Sequence, residues 1–250
     1  MGVYVKLRKS VTGKEALLVG LPGMGRVGYI AVNYLVEKLR GVLVGEVYST
    51  YFPSELDVDE HGLGSLVVGK IYDVGKALVF TADSQPQSPE GQNLLSKKVV
   101  EFASRKGVKM VIAAAAYVVP TVEHTRRVYV AGTDRKTLEI FTSLGAIVLR
   151  GGVISGINGV VIGWSRYYGL PAAVLLGETW APLVEVGESD FRASRSVIEV
   201  ITKFLGIQID SAELDQLATQ IEKGVAAALA KMPSRREEPE KTIQRDREVM

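Results

Sequence analysis

The residues around the first glycine cluster constrain the fold of this chain more than any other stretch. An apolar run from Leu17 ends at Gly20, a cluster of glycines follows, and apolar residues then recur at helical spacing from Val27. A short apolar run bounded by turn residues is typical of a strand buried on both faces. Glycine lets backbone bend or approach a neighbour where a Cβ would clash. Residues 17–36 therefore predict a buried strand, a tight turn and a helix whose free N–H groups could bind an anion.

The glycine cluster also matches a nucleotide-binding pattern. Gly23, Gly25 and Gly28 form G-x-G-x-x-G between a predicted strand and a predicted helix, which is the context of a dinucleotide-binding turn. Glu46 lies on the next predicted strand, where the pattern places an acid that binds the ribose. Arg26 would suit a lone phosphate or the carboxylate of a partner protein. Two interpretations stay open: a nucleotide or anion site at these residues, and a purely structural turn.

The order of the predicted elements indicates the fold class. Strand and helix patterns alternate from Leu17 to Leu205, which predicts a mostly parallel sheet covered by helices on both faces. A short hairpin around Asp73 makes that sheet mixed, and the turn at 61–64 separates two short strands. We therefore predict a three-layer α/β fold with a mostly parallel mixed sheet. Short loops place residues 1–232 in a single domain.

Several element boundaries follow from the same patterns. The sequence predicts helices over 24–40, 160–168, 189–205 and 211–231, and strands over 42–49, 146–153 and 171–176. The last helix carries an apolar stripe that packs either on its own sheet or on another subunit. The members of this stripe are Leu214, Leu217, Ile221, Val225 and Ala228.

Polar residues follow several predicted strands at their carboxyl ends, where open α/β sheets bind ligands. Asp83 follows one strand, Ser155 and Asn158 follow a second, and Glu178 follows a third. The same residue types also cap helices and turns, so a ligand site and a capping role both stay open.

The composition narrows the classes of function. The chain has no cysteine, which excludes disulfides and thiolate chemistry, and its formal net charge of +2 gives no case for nucleic acid or an anionic membrane. His61 and His124 are the two histidines, and neither stands in a metal-ligand spacing or beside a candidate nucleophile. We expect no metal and no cofactor. Without a signal peptide or a spanning segment, we also expect a cytoplasmic protein.

The C-terminal residues differ in character from the rest of the chain. From Pro233 to Met250 nearly every residue is charged or polar, with both signs in balance. Such a segment buries too little apolar surface to offset the entropy lost on ordering. Residues 233–250 are therefore predicted to form a disordered charged tail, which could fold on a partner.

A set of motifs in a fixed order resembles a known family. Leu-Pro-Gly-Met-Gly-Arg-Val-Gly at 21–28 precedes Phe-Pro-Ser-Glu at 52–55, Ile-Ser-Gly-Ile-Asn-Gly at 154–159 and Leu-Leu-Gly-Glu-Thr at 175–179. Two final helices, joined by Leu-Gly-Ile-Gln-Ile-Asp at 205–210, complete the order. Over residues 15–232 this order resembles the archaeal proteasome assembly chaperone family, related to the second eukaryotic assembly chaperone subunit.

This resemblance implies an α/β fold like that of the nucleoside phosphorylase class, in a homo-oligomeric protein without established catalytic residues. Some members of the family bind proteasome core particles through a C-terminal hydrophobic–tyrosine–any tripeptide, whose carboxylate docks between α subunits. This chain ends in Glu248-Val249-Met250 and lacks the tyrosine, so docking through its tail would use Val249, Met250 and the carboxylate.

Two functions follow as expectations. The first is a non-enzymatic, homo-oligomeric protein of the assembly-chaperone type that acts on proteasome α subunits. The alternative is an enzyme that binds a nucleotide or nucleoside through the Gly23–Gly28 turn, together with the polar residues at the strand ends. Phosphorylase or nucleosidase chemistry would be the natural class for that alternative, by analogy of fold alone.

Overall fold

The computed structural model describes residues 2–231, which form a nine-stranded mixed sheet, a separate two-stranded hairpin and helices on both faces of the large sheet. The strands are β1 Val3–Leu7, β2 Ala16–Val19, β3 Val42–Ser49, β4 Leu56–Val58, β5 Gly64–Leu66, β6 Gly69–Asp73, β7 Ala77–Thr81, β8 Val111–Val119, β9 Val128–Gly132, β10 Ile147–Val148 and β11 Ala172–Trp180. The α-helices are α1 Val27–Lys38, α2 Pro89–Arg105, α3 Arg135–Ser143, α4 Ile157–Tyr167, α5 Ala181–Glu185, α6 Phe191–Leu205 and α7 Ala212–Lys231.

The large sheet has the order β1-β3-β6-β7-β2-β8-β11-β9-β10. Its central strands β7, β2, β8 and β11 run parallel, whereas β1, β3 and β6 are joined to one another and to β7 by antiparallel pairing. On the other side, β9 is antiparallel to β11 and parallel to β10. The predicted mixed α/β architecture is therefore confirmed.

Two apolar clusters separate the sheet from its helices. Leu18 on β2 belongs to the cluster that also contains residues of α1, α3, α6 and α7, and its neighbour Leu17 belongs to the cluster on the opposite face, with residues of α2 and α4. Both leucines are fully buried because successive side chains of a strand point to opposite faces. Burying each of them contributes about 1.5–3 kcal/mol. This double burial explains why β2 is an uninterrupted apolar run, and it fixes β2 at the centre of three layers.

Several boundaries differ from those that the sequence predicts. The first helix is broken at its start: a short 3₁₀ turn covers Met24–Arg26, and Arg26 has φ 51°, so α1 begins at Val27. The strand predicted over 146–153 shrinks to Ile147–Val148, because Gly151 and Gly152 have positive φ and leave the extended conformation.

Three other differences lie near the ends of the strands. Helix α4 begins at Ile157 and not at 160, directly after Gly156 with φ 78°. Strand β11 continues past 176 to Trp180, because it pairs with β8 along its whole length. The short helix α5 was not predicted. The hairpin of β4 and β5 around the turn at 61–64 is confirmed.

Candidate functional site

The glycine turn between β2 and α1 is a place of very close backbone packing. A Cβ on Gly28 would sit 1.9 Å from the carbonyl oxygen of Ala114 on β8, and a Cβ on Gly20 would sit 2.3 Å from the carbonyl oxygen of Gly28. Neither glycine can be replaced without moving backbone. Gly23 differs, since nothing lies within 4 Å of its ideal Cβ position. The close packing of α1 on the sheet therefore explains why glycine is needed at positions 20 and 28.

A crevice of 490 Å³ opens at the carboxyl ends of β2, β8 and β11. Gly23, Gly28, Ser155 and Asn158 line it, so the structure brings these four of the predicted site residues together. Other lining residues come from the glycine-rich segment 151–156 and from the ends of the strands. Among the described residues that line the crevice, none is charged.

The buried amide of Asn158 bridges backbone groups of the first turn. Its Oδ1 accepts from the Leu21 N–H and its Nδ2 donates to the Leu21 carbonyl, each at 3.2 Å. Gln85 makes a second bridge, because its Nε2 donates to the Pro22 carbonyl at 2.8 Å and its Oε1 accepts from the Ile157 N–H at 3.4 Å. These two amides join the two strand-to-helix turns that face each other across the crevice.

Gly25 and Arg26 do not line the crevice. Gly25 has φ 55°, and its carbonyl accepts from the N–H of Asp190 at 2.8 Å. The exposed side chain of Arg26 lies over the ring of Tyr29, 5.8 Å from its centroid. Gly25 therefore holds the start of α6 against the turn, and the guanidinium of Arg26 contacts Tyr29 of α1.

Asp83 also lies outside the crevice lining. Its carboxylate accepts from the hydroxyl of Tyr29 at 2.6 Å and lies 3.5 Å from Nζ of Lys70. Burial, and after it the hydrogen bond to Asp83, raises the pKa of Tyr29 to about 12. Asp83 thus links the loop after β7 to α1.

Glu178 is almost fully buried, and its carboxylate is bound by a neighbouring strand. Arg127 approaches it with Nη2 at 2.7 Å from Oε1 and with Nε at 3.0 and 3.1 Å from the two oxygens. The hydrogen bonds that Arg127 donates to Glu178 raise the pKa of the Arg127 guanidinium. Glu178 therefore joins β11 to β9 and does not line the crevice.

The assignment of Glu46 to a ribose is wrong. Glu46 lies on β3, which is separated from β2 by β6 and β7 and is antiparallel to β6. Its Oε1 binds Arg8 at 2.7 Å across the edge of the sheet. In a dinucleotide-binding fold this acid would sit on a parallel strand beside the first one. The pairing of the strands, which the spacing of residues does not reveal, places Glu46 elsewhere.

A buried ionic network between α6 and α7 was missed by sequence reasoning. Arg192, whose side chain is only 5% exposed, binds Glu222 at 3.0 Å and Asp215 at 3.1 Å and donates to Thr219 at 3.2 Å. Arg126 joins the same network through Glu222 at 2.6 Å. The sequence does carry a signal for this network. The α7 members Asp215, Thr219 and Glu222 stand at i, i+4 and i+7, which places them on one face of a helix.

The apolar stripe of α7 packs only in part within the chain. Leu214 and Val225 are buried, and Leu214 joins the cluster that contains α6, whereas Leu217 is 40% exposed and Ala228 is exposed. Of the two alternatives for the stripe, packing within the chain therefore holds for Leu214 and Val225. Val249 and Met250 lie outside the described residues.

No described helix is long and apolar enough to cross a membrane. Nor do any three described His, Asp or Glu side chains come together in a way that could hold a metal ion.

Comparison with known proteins gives consistent matches over most of the chain. The sequence model of the PAC2 family matches residues 17–229. An uncharacterized protein of Methanocaldococcus jannaschii is 27% identical over 215 residues, which are 84% of this chain and 81% of that protein.

Solved structures share the fold. Pyrococcus furiosus PbaA, described as an archaeal homolog of proteasome-assembly chaperone, is similar with a TM-score of 0.78 and 27% identity over 93% of each chain. Pyrococcus furiosus PbaB, described as an archaeal proteasome activator, has a TM-score of 0.81 and 24% identity over 91% of this chain and 99% of its own. At that lower identity the likeness to PbaB shows the fold alone.

Proposed function

The chain belongs to the PAC2 family, and from that premise we propose that it is a non-enzymatic, homo-oligomeric protein of the assembly-chaperone type that acts on proteasome subunits. The observation that carries the proposal is the family match over residues 17–229, to which the likeness to PbaA over 93% of the chain adds support. In this role the protein works in the cytoplasm, and it works by presenting surfaces, not by chemistry.

The contacts around the crevice support a structural role for its polar residues. Asn158 is bound to Leu21, Glu178 to Arg127 and Asp83 to Tyr29, so each of these groups already has a partner within the chain. A ligand would have to replace those bonds. Asn158 and Glu178 are buried, and removing one partner of a buried polar pair costs about 1–3 kcal/mol, so recruiting these two groups for a substrate would weaken the fold.

The tail contributes the second part of the proposal. Residues 233–250 would reach the proteasome α subunits, with Val249, Met250 and the terminal carboxylate as the docking end. Since the tail lacks the tyrosine of the family tripeptide, the body of the protein would supply most of the affinity.

Co-purification tests this proposal. The full chain and a chain ending at residue 232 would each be immobilised and offered purified proteasome α subunits from the same source. We expect the full chain to retain α subunits and the shortened chain to retain several-fold less. If neither form retains them, proteasome subunits are not the partner.

Thermal unfolding separates this role from that of a nucleotide-binding enzyme. A ligand at ten times its Kd stabilises a protein by about 1.4 kcal/mol, which is measurable as a shift in Tm. We expect no shift with nucleotides, dinucleotides or nucleosides at about 1 mM, ten times a Kd of roughly 0.1 mM. A shift that the Gly23→Ala variant abolishes would instead favour the enzyme.

A further inference from the structure

The hairpin of β4 and β5 exposes apolar side chains without a covering element among the described residues. Leu56 is 63% exposed, Val58 is 61% exposed and Leu66 is 60% exposed. The hairpin forms its own two-stranded sheet and does not pair with the large sheet. Isolated two-stranded hairpins are marginally stable in water, and exposed apolar patches mark interaction surfaces.

Strand β1 is an edge of the large sheet with an apolar groove beside it. It pairs with β3 on one side only. A groove of 460 Å³ lies between β1 and α2, and Val3, Val5 and Leu7 contribute its apolar strand wall. An edge of this kind offers unpaired backbone groups to another strand.

The backbone groups that are free to pair can be identified on both strands. Arg8 donates its N–H to the Val44 carbonyl at 2.8 Å, and the Gly2 carbonyl accepts from Thr50 at 3.2 Å, so even-numbered residues of β1 bond to β3. In an antiparallel ladder the alternate residues direct N–H and C=O to the other side. The free groups of β1 therefore belong to Val3, Val5 and Leu7.

The hairpin also has backbone groups that are free to pair. Asp59 donates its N–H to the Leu63 carbonyl at 3.1 Å, which makes the odd-numbered residues of β4 the ones that bond to β5. The groups that point away from β5 are then those of Leu56 and Val58. The free backbone groups of each strand thus belong to residues with apolar side chains.

We propose that the β4–β5 hairpin of one copy of this chain adds to the edge strand β1 of a second copy as an antiparallel strand. In the register that pairs the free backbone groups of β1 with those of β4, Leu56 lies opposite Leu7 and Val58 lies opposite Val5. These four side chains share one face, on the side of the groove beside α2. This inference rests on the homo-oligomeric part of the proposed function and names the surfaces that carry it.

Charge complementarity supports this register. It places Asp57 opposite Lys6 and Glu55 opposite Arg8, all on the face away from the groove. Asp57 and Lys6 are exposed, and neither makes an ion pair within the described part of the chain. The two apolar pairs on one face therefore alternate with two pairs of opposite charge on the other face, although Arg8 also binds Glu46 of its own chain at 2.7 Å. A shift by one residue would break both sets of pairs.

The contact joins two different surfaces of the same chain, so it is heterologous. Each copy offers one hairpin and one edge strand, and successive copies build a ring when the rotation closes. Such an assembly covers the exposed hairpin and the free sheet edge at the same time.

Charge exchange tests the contact. Asp57→Lys places an ammonium group opposite Lys6, and Lys6→Asp places a carboxylate opposite Asp57, so each variant alone should associate about tenfold more weakly than the wild type. Light scattering after gel filtration would show their mass falling toward the monomer mass of 27.1 kDa. A double variant that carries both substitutions should recover the wild-type mass, because every contact between its copies again joins opposite charges at positions 57 and 6.

Controls keep the test decisive. Glu139→Lys and Lys136→Asp make the same charge changes on exposed positions of α3 and should keep the wild-type mass. Leu56→Ser removes a mostly exposed apolar side chain and should dissociate the assembly, whereas Val153→Ser, at a residue that is 95% exposed elsewhere, should not.

Two results would overturn the proposed contact: single variants that keep the wild-type mass, or a double variant that stays dissociated. Retention of α subunits, measured on the same samples, tests the proposed partner separately. An intact assembly that fails to retain them contradicts the partner and leaves the contact standing.

Discussion

Gly28 of α1 lies so close to Ala114 of β8 that a Cβ on the glycine would sit 1.9 Å from the Ala114 carbonyl oxygen. We therefore predict that Gly28→Ala forces the helix away from the sheet and lowers the free energy of unfolding by about 3 kcal/mol or more. Urea denaturation measures this change.

Gly23→Ala is the matched control. Its added methyl group would meet nothing within 4 Å, and its φ of −159° is open to any residue, so we expect a change below about 0.5 kcal/mol. Equal losses at Gly23 and Gly28 would contradict the interpretation of the pattern as a helix-docking joint.

Asn158 should stabilise the fold through Leu21. Asn158→Ala leaves the buried N–H and carbonyl of Leu21 without their side-chain partner, so we predict a loss of about 1–3 kcal/mol in the free energy of unfolding. Ser155→Ala, which changes a neighbouring lining residue that is exposed, should cost much less. If Asn158→Ala unfolds like the wild type, its amide is not a structural bridge.

Arg192 should anchor α7. Its guanidinium binds Glu222, Asp215 and Thr219 at once, so Arg192→Ala should cost about 3 kcal/mol and speed amide exchange over residues 212–231. Arg192→Lys should restore only part of this, because an ammonium lacks the planar fork. Arg195→Ala is the control: Arg195 binds Asp215 but is 34% exposed, and its loss should cost about 1 kcal/mol or less. If amide exchange in α7 is unchanged in Arg192→Ala, Arg192 does not hold this helix in place.

Tyr29 should make stability depend on alkaline pH. Its pKa is raised by burial and by Asp83 from 10.0 to about 12, so the hydroxyl stabilises the folded state fully below pH 10. That contribution is lost as the pH rises through 12. Between these values the free energy of unfolding should fall more steeply for the wild type than for Tyr29→Phe. Identical slopes would show that the pKa of Tyr29 is not raised in the folded protein.

The sequence predicted those parts of the fold that repeat a local pattern. The buried run of β2 and the helix after the glycines follow from periodicity, and the hairpin at 61–64 follows from its turn residues. The partners of side chains were not predictable. Glu178 meets Arg127, and Asn158 meets Leu21, only because the sheet brings distant segments together. Glu46 was misplaced for the same reason, since spacing along the chain does not reveal strand order.

The sequence identified only some of the residues that line the crevice. Gly23, Gly28, Ser155 and Asn158 do meet at the strand ends, as the rule for open α/β sheets predicts. Gly25, Arg26, Asp83 and Glu178 lie outside that lining. Residue type alone did not distinguish a polar group that faces a cavity from one that ties two strands together.

Native mass spectrometry of the full chain mixed with purified proteasome α subunits tests the central claim most directly. The proposed function predicts a complex that contains several copies of this chain together with α subunits at micromolar concentrations of each. Adding nucleotide should leave its composition unchanged. A spectrum that contains only separate species, with the chain as a monomer of 27.1 kDa, would contradict the account.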